Sequence, residues 1–410
     1  MADLSLDTGL SRPASPAADA GWFARRLARL LLSRIRIGRL TIVSPSGIRL
    51  SSLPVEPGPE GTLVLHRWRT LRRLLLQGDI SFAEAYMDGD WSSPDLPSLI
   101  ELAARNAPTL NPSIDGHPLS RLWNRVRHRW NDNSLAGSRR NITYHYDLGN
   151  DFYRCWLDAG MTYSSALYAT GAEALEDAQT AKQDRAIALM RLTGRESVLE
   201  IGCGWGGLAE RIAATTGCHV TGLTLSPAQL AHATARLRDA GLEGRTALHL
   251  RDYRDEAGAY DRIVSIEMLE AVGETYWPSY FGTLQERLRS GGIAVLQGIT
   301  IAEDRYDAYR ACTDFIQHYI FPGGMLPTQT GMRQQTEAAG LRLVSVETFG
   351  QSYARTLAEW RRRFHDAWPE IERQGFDTRF RRMWDYYLAY CEGGFRSGAI
   401  DVGLYTLEKP

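Results

Sequence analysis

The ten residues Val198–Gly207, VLEIGCGWGG, constrain the fold of this chain more than any other stretch. An apolar run closes on Glu200, and Gly202, Gly204 and Gly206 then follow at every second position. Glycines placed there let the chain leave a strand through a tight turn and let its backbone approach a ligand at the carboxyl edge of a parallel sheet. The surrounding pattern supplies such a sheet. Short apolar segments at Ser197–Ile201, His219–Leu223, Ala247–Leu250, Asp261–Ile266 and Ile293–Gln297 alternate with helical stretches at Leu208–Ala214, Ala228–Ala240 and around Met268. Strands alternating with helices predict a doubly wound, Rossmann-like α/β fold. Packing of a plain strand-to-helix turn would use the same glycines, so the loop alone does not name a ligand.

At 410 residues the chain is long enough for more than one domain. Residues 1–20, rich in Ala, Ser, Pro and Asp, read as a disordered terminus. Trp22–Leu32 has helical spacing, with Phe23, Leu27, Leu30 and Leu31 able to share a face, and Arg25, Arg26, Arg29, Arg34, Arg36 and Arg39 close by. Such a helix either lies on an anionic lipid surface or packs on its own domain with a solvated Arg face. Alternating segments at Leu40–Val43, Ile48–Leu50 and Leu63–Trp68, broken by a Pro/Gly stretch at 54–61, predict a small α+β domain that includes a helix within Gly78–Trp91. Residues 106–140 read as a connector. The expected division is 21–138 for an N-terminal domain with its connector and 139–410 for the α/β domain, whose end is helical and closes on an edge strand at Asp401–Leu407.

Charge excludes some partners. The net charge is −1, so no global field attracts nucleic acid. Residues 1–140 carry 19 Arg against 13 acids, and the remaining positions compensate. The five cysteines and nine histidines show no metal-ligand spacing, which suits a reducing compartment. No apolar run reaches the ~18 residues of a membrane span. These features predict a cytoplasmic protein.

The glycine loop has chemical context. A dinucleotide site expects a carboxylate after the second strand, whereas Leu223-Thr224-Leu225-Ser226 stands there, with Gln229 a turn later. Glu200 beside the loop suits a ligand carrying positive charge, and S-adenosylmethionine, with its sulfonium and ammonium, fits. Asp252-Tyr253 follows the third strand, where Asp can accept from an adenine amine and Tyr can stack; a solvated loop is the other reading.

The string of motifs resembles the cyclopropane fatty acid synthase family. It runs AYMDGDW (85–91), HYDLGNDFY (145–153), MTYSSALY (161–168), LEIGCGWGG (199–207), TLSPAQ (224–229), DYRD (252–255), DRIVSIEMLEAVG (261–273), YIFPGGMLP (319–327), FGQSYARTLAEWRRRF (349–364) and YYLAYCEGGFR (386–396). The resemblance implies a methyltransferase that uses S-adenosylmethionine on the cis double bond of an unsaturated acyl chain, often in a membrane phospholipid. It also implies an N-terminal domain that engages lipid, peripheral membrane association, and a homodimer.

By matching positions, Tyr163, Ser164, Gly202, Gly204, Thr224, Gln229, Asp252 and Tyr253 are the cofactor contacts. Methyl transfer to an alkene leaves a carbocation, which aromatic faces stabilise; Tyr163, Tyr168, Tyr319, Phe321, Tyr353 and Trp360 lie in these motifs. Ring closure needs a base. In the resembled enzymes a bicarbonate ion serves, and its cradle here would be Ser165, Glu270, Gln297, Ile299 through its backbone, and Tyr353, with Glu270 orienting the ion while the Ser165 and Tyr353 hydroxyls donate.

Three positions depart from the family pattern. Ser165 stands for a cysteine, Gln297 for a histidine, and Ala271 for the histidine of a Glu-His pair. Ser and Gln still hydrogen-bond but do not titrate near neutral pH. The expectation is therefore a cyclopropane-forming phospholipid synthase, with an open-chain methyl- or methylene-branched product as the alternative and a non-catalytic binding protein as a third reading. Glu270 is a second candidate base, with Glu267 one helical turn away on a similar face, where a solvated or capping carboxylate is the plain reading.

Overall fold

Alternating burial along the early strands builds a first sheet. The computed structural model describes residues 22–114 and 148–410. The expected disordered terminus, most of the connector, the 138/139 boundary, His145–Asp147 of the second motif, and the Phe23 and Arg25 side chains lie outside the described residues. Strands β1 (Ile37–Val43), β2 (Arg49–Ser51), β3 (Glu56–Leu65) and β4 (Trp91–Ser92) run in the order β2-β1-β3-β4. Helices α1 (Trp22–Ser33), α2 (Arg69–Gln77), α3 (Asp79–Met87), α4 (Leu96–Arg105) and α5 (Ala107–Ile114) surround them. Asp95 caps α4 by accepting from the Ser98 N–H at 3.1 Å.

The Pro/Gly stretch at 54–61, expected to break the strands, lies largely inside β3. Its early residues pair with β1 alone, since β4 reaches only Val64 and Leu65. A proline without an N–H is tolerated on such an open edge. Gly38 faces Pro59 so closely that a Cβ would meet its carbonyl oxygen at 2.1 Å.

In α1, Ala28, Leu31 and Leu32 are buried, whereas Leu30 and the Arg26 and Arg29 side chains are exposed. Its apolar face is thus consumed by its own domain, which corrects the grouping of Leu30 with Leu31.

The larger sheet holds β5 (Ser197–Ile201), β6 (His219–Thr224), β7 (Thr246–Leu250), β8 (Tyr260–Ile266), β9 (Leu288–Ile301), β10 (Arg342–Thr348) and β11 (Ile400–Glu408), in the order β10-β11-β9-β8-β5-β6-β7. The five from β9 to β7 are mutually parallel, and β11 is antiparallel to both its neighbours. The final strand expected at an edge is therefore interior, and β10, absent from the sequence reading, takes the edge. Helices α6 (Asn150–Arg154), α7 (Leu175–Met190), α8 (Gly207–Thr216), α9 (Pro227–Asp239), α10 (Trp277–Arg287), α11 (Tyr306–Ala311), α12 (Gln329–Ala338), α13 (Gly350–Asp366), α14 (Trp368–Arg373) and α15 (Thr378–Arg396) complete this part. The helix expected around Met268 is only a 3-10 turn, Leu269–Ala271.

Strand order reverses between β5 and β8, which places a ligand crevice at the carboxyl ends of those two strands. Helix α15 joins the two sheets' surroundings. A Cβ on Gly393 would lie 2.7 Å from Ile100 Cγ2, so only glycine lets α15 pass this close to α4. Asp385 on α15 accepts from the Tyr86 hydroxyl of α3, from Arg361 Nε at 2.6 Å, and pairs with His365 at 2.7 Å.

Candidate active site

Both crevice strands end in carboxylates. Glu200 lies near the end of β5, and the chain turns through Gly202 (φ +84°), Gly204 (φ +50°) and Gly206 (φ +83°) into α8. The Gly202 and Cys203 N–H groups donate to the Leu223 carbonyl at 3.0 and 2.8 Å, fastening the loop to β6. Gly206 lies against α9, where a Cβ would meet Ala233 Cβ at 2.9 Å. Gly206→Ala therefore adds both a left-handed alanine and a clash. It is expected to cost about 1–3 kcal/mol of stability, read as a lowered Tm.

Several expected cofactor contacts line one cavity of about 920 Å³: Tyr163, Gly202, Gly204, Thr224, Gln229 and Tyr253. The Thr224 hydroxyl donates to Gln229 Oε1 at 2.8 Å. Tyr253 stands edge-on to Tyr280, with centroids 5.4 Å apart. Asp252 behaves differently from the simple expectation. It is buried, and its carboxylate accepts from Arg254 Nε at 2.8 Å and from a terminal nitrogen at 2.7 Å. An adenine amine would have to share those oxygens.

Ser164 is held from behind. Its hydroxyl accepts from Lys182 Nζ at 2.7 Å and its carbonyl from Gln179 Nε2 at 2.7 Å, both on α7.

Glu200 tests whether these residues suit a cationic ligand. It is buried, Oε2 has no hydrogen-bond partner, and burial pushes its pKa up to about 8 against the pull of Lys182. A carboxylate left bare beneath a glycine loop is satisfied by positive charge, so the site fits S-adenosylmethionine.

The centre of the crevice overturns the expected cradle. Glu267 follows β8 directly and has φ +50°, one of three described non-glycine residues with positive φ. This strained backbone turns its carboxylate inward. Oε1 accepts from the Ser165 N–H at 2.8 Å and from Gln297 Nε2 at 2.7 Å; Oε2 accepts from the Tyr353 hydroxyl at 2.6 Å. Three groups assigned to an ion therefore converge on Glu267.

The Ser165 hydroxyl is turned away, donating to the Ala166 carbonyl at 2.8 Å. The Ile299 N–H donates to Glu270 Oε1 at 2.5 Å, while Glu270 Oε2 is unpartnered. The cradle thus divides between two carboxylates, which already engage the Ser165 N–H, the Gln297 amide, the Tyr353 hydroxyl and the Ile299 N–H. Bicarbonate does not fit.

The two carboxylates differ electrostatically. Burial pushes Glu270 up to about 8, helped by the neighbouring Glu267. Burial also raises Glu267, but Tyr353, the Ser165 N–H, Lys182 and Gln297 oppose it. Neighbouring like charges do not both ionise readily, so the member that holds more hydrogen-bond donors carries the charge. Glu267 therefore ionises before Glu270. Both keep some accessible surface, and it faces the cavity.

Aromatic rings frame this centre. Tyr353 stacks on Phe395 at 4.5 Å and meets Trp360 edge-on at 6.1 Å; Tyr163 lies 5.5 Å from Trp360 and shares a 2.8 Å hydrogen bond with Tyr387. Phe321 also lines the cavity. Tyr319 instead donates to Glu84 at 2.7 Å, and Tyr168 lies under Arg355, 5.0 Å from its ring centre.

Known proteins carry the same arrangement of sequence. The profile described as "Mycolic acid cyclopropane synthetase" matches residues 133–404. The chain belongs to that family. It is 42% identical over 355 residues to "Tuberculostearic acid methyltransferase UfaA1" of Mycobacterium tuberculosis, covering 84% of this chain and 83% of that one. It is 34% identical over 401 residues to "Cyclopropane-fatty-acyl-phospholipid synthase" of Escherichia coli, covering 95% and 93%. The crystal structure of mycolic acid cyclopropane synthase CmaA1 complexed with SAH and CTAB superposes with a TM-score of 0.63 at 29% identity, over 66% of this chain and 98% of that one. The family member described here has the S-adenosylmethionine-dependent methyltransferase fold and is a C-methyltransferase that modifies lipids with that cofactor.

Proposed function

We propose that this enzyme methylates the cis double bond of an unsaturated acyl chain of a membrane phospholipid, and that Glu267 receives the proton the product must lose. The convergence of Ser165, Gln297 and Tyr353 on Glu267 carries this reading. S-adenosylmethionine, when bound, supplies an electrophilic methyl group. The rings of Tyr163, Tyr353 and Phe321 face the cation that forms on the acyl chain. The buried walls exclude water that would trap it.

The product favoured is open-chain and methylene-branched. The cation formed next to the new methyl group takes a hydride from the adjacent carbon and becomes tertiary. The Glu267 carboxylate then removes a methyl proton, leaving an exocyclic double bond and a neutral carboxylic acid. Atoms and electrons balance without a reductant, which a saturated methyl branch would need. A carboxylate restrained by three donors is a weaker base than a free one, and slow deprotonation gives the hydride shift time to precede ring closure. Similarity to a tuberculostearic acid methyltransferase supports methylation without ring closure.

Membrane contact is supported by exposed groups of the N-terminal domain. Leu53 and Val55 are 87% and 65% exposed, and the Val55 N–H donates to the Arg36 carbonyl. Arg36 is itself exposed, and Arg26, Arg29 and Arg34 are exposed on the segment that leads to it, cationic groups that suit anionic headgroups. Among the described residues no helix is long and apolar enough to cross a membrane.

The test is to incubate the purified protein with methyl-labelled S-adenosylmethionine and vesicles of a cis-monounsaturated phospholipid, then read the chains by mass spectrometry and proton NMR. Labelled vinylidene protons are expected. High-field ring protons would return the cyclopropane reading, and unlabelled lipid would reject both.

A further inference from the structure

The cavity does not stop at the reaction centre. It continues into the core of the N-terminal domain, where Leu40, Leu63, Trp91, Leu99, Leu102 and Leu110 line it. All six are buried. Interiors normally close such space, because an unfilled apolar void forfeits packing contacts. A total of about 920 Å³ lies within the size range of ligand sites.

Helix α15 is the wall shared by both ends. Tyr387 is hydrogen-bonded to Tyr163 beside the reaction centre, while the adjacent Tyr386 lies 6.3 Å from the Trp91 ring. Neighbouring residues of one helix thus touch both compartments. The profile match, 133–404, leaves residues 22–114 outside it.

We propose that this apolar arm is a binding subsite for the methyl-terminal part of the reacting acyl chain, and that its depth selects which double bond meets the methyl donor. The inference rests on the proposed substrate. An internal double bond has hydrocarbon on both sides, so a chain reacting near Glu267 needs space beyond it. The cavity lining from residues 31–110 is apolar except for Asp79, whose carboxylate does not attract a carboxyl or phosphate group, so the methyl end is the end that fits. The polar end then lies toward the exposed cavity residues Asp304 and Ala308.

Photolabelling of the wild-type protein tests this. Phosphatidylglycerol vesicles would carry a diazirine at the methyl end of the cis-monounsaturated chain, or, in a second preparation, at the methyl end of the saturated companion chain. Label from the first preparation on peptides within residues 31–110 is expected. Label from it confined to the catalytic part, or label in 31–110 from the companion chain alone, would overturn the proposal.

A variant gives a functional reading. Leu63→Phe shortens the arm and is expected to raise the ratio of methylated palmitoleoyl to oleoyl chains by about tenfold, since the two differ only beyond the double bond. An unchanged ratio in a folded variant would count against the arm. Methyl transfer to undecorated vesicles, measured in parallel, separates the two claims. Transfer without label in 31–110 removes the subsite alone, whereas label there without transfer removes the proposed chemistry and leaves a lipid site.

Discussion

Glu267→Gln is expected to lower turnover by about 10²- to 10⁴-fold, the range a positioned general base supplies. Its affinity for S-adenosylmethionine, read by calorimetry, should change little, because the residues expected to hold the cofactor are elsewhere on the cavity wall. The amide keeps the shape of the carboxylate and still accepts from the Ser165 N–H, so the fold should persist. Glu267→Gly is the sharper companion. It removes the carboxylate and relieves a left-handed non-glycine backbone at φ +50°, so its Tm should not fall. It also frees the Gln297 amide and the Tyr353 hydroxyl. Turnover should collapse and then recover in part when bicarbonate is added, since those donors can hold an ion once Glu267 is gone. Full activity in either variant would show that the proton goes elsewhere.

The second large effect concerns Lys182, one of only two lysines in the chain. It is fully buried, bonded to Ser164, and acts on Asp158, Glu200 and Glu267. Burial lowers its pKa to about 8 although those three carboxylates pull it upward. Its positive charge favours ionised Glu267. Lys182→Met removes that charge, so Glu267 becomes harder to ionise and the acid limb of the pH–rate profile moves to higher pH. At pH 7 the expected loss is about tenfold or more. Above about pH 8 the wild-type lysine sheds its own charge and the two profiles should converge. A purely structural role would lower activity equally at every pH. With only two lysines, selective ¹³C labelling of Lys side chains lets the Lys182 titration be followed directly.

Much of the catalytic fold was legible because its signals are local. The loop glycines follow an apolar strand, and each strand from β5 to β8 is a short segment of seven residues or fewer. Where local signals mislead, the cause lies in the sheet. Pro57 and Pro59 suggested a break, yet β3 tolerates them because that half of the strand has a neighbour on one side only. Strand β10 was missed, its burial alternating only weakly along an edge.

The catalytic centre was half legible. Motif positions drew attention to Ser165, Gln297, Ile299, Tyr353 and Glu270, which the fold brings together around two carboxylates. Glu267 was undervalued, because a regular helix around Met268 puts it one turn from Glu270, as a cap. A 3-10 turn preceded by a left-handed glutamate points it inward instead. Propensity gives no hint of that backbone. Its place just beyond a strand at the switch point was the available signal.

In the proposed mechanism a side chain takes the place of a captive ion as base. Turnover of the wild-type enzyme on cis-monounsaturated phospholipid vesicles, in buffer freed of carbonate and again with bicarbonate restored, measures this most directly. The expected result is the same rate in both. A rate that falls on depletion and returns with bicarbonate would contradict it.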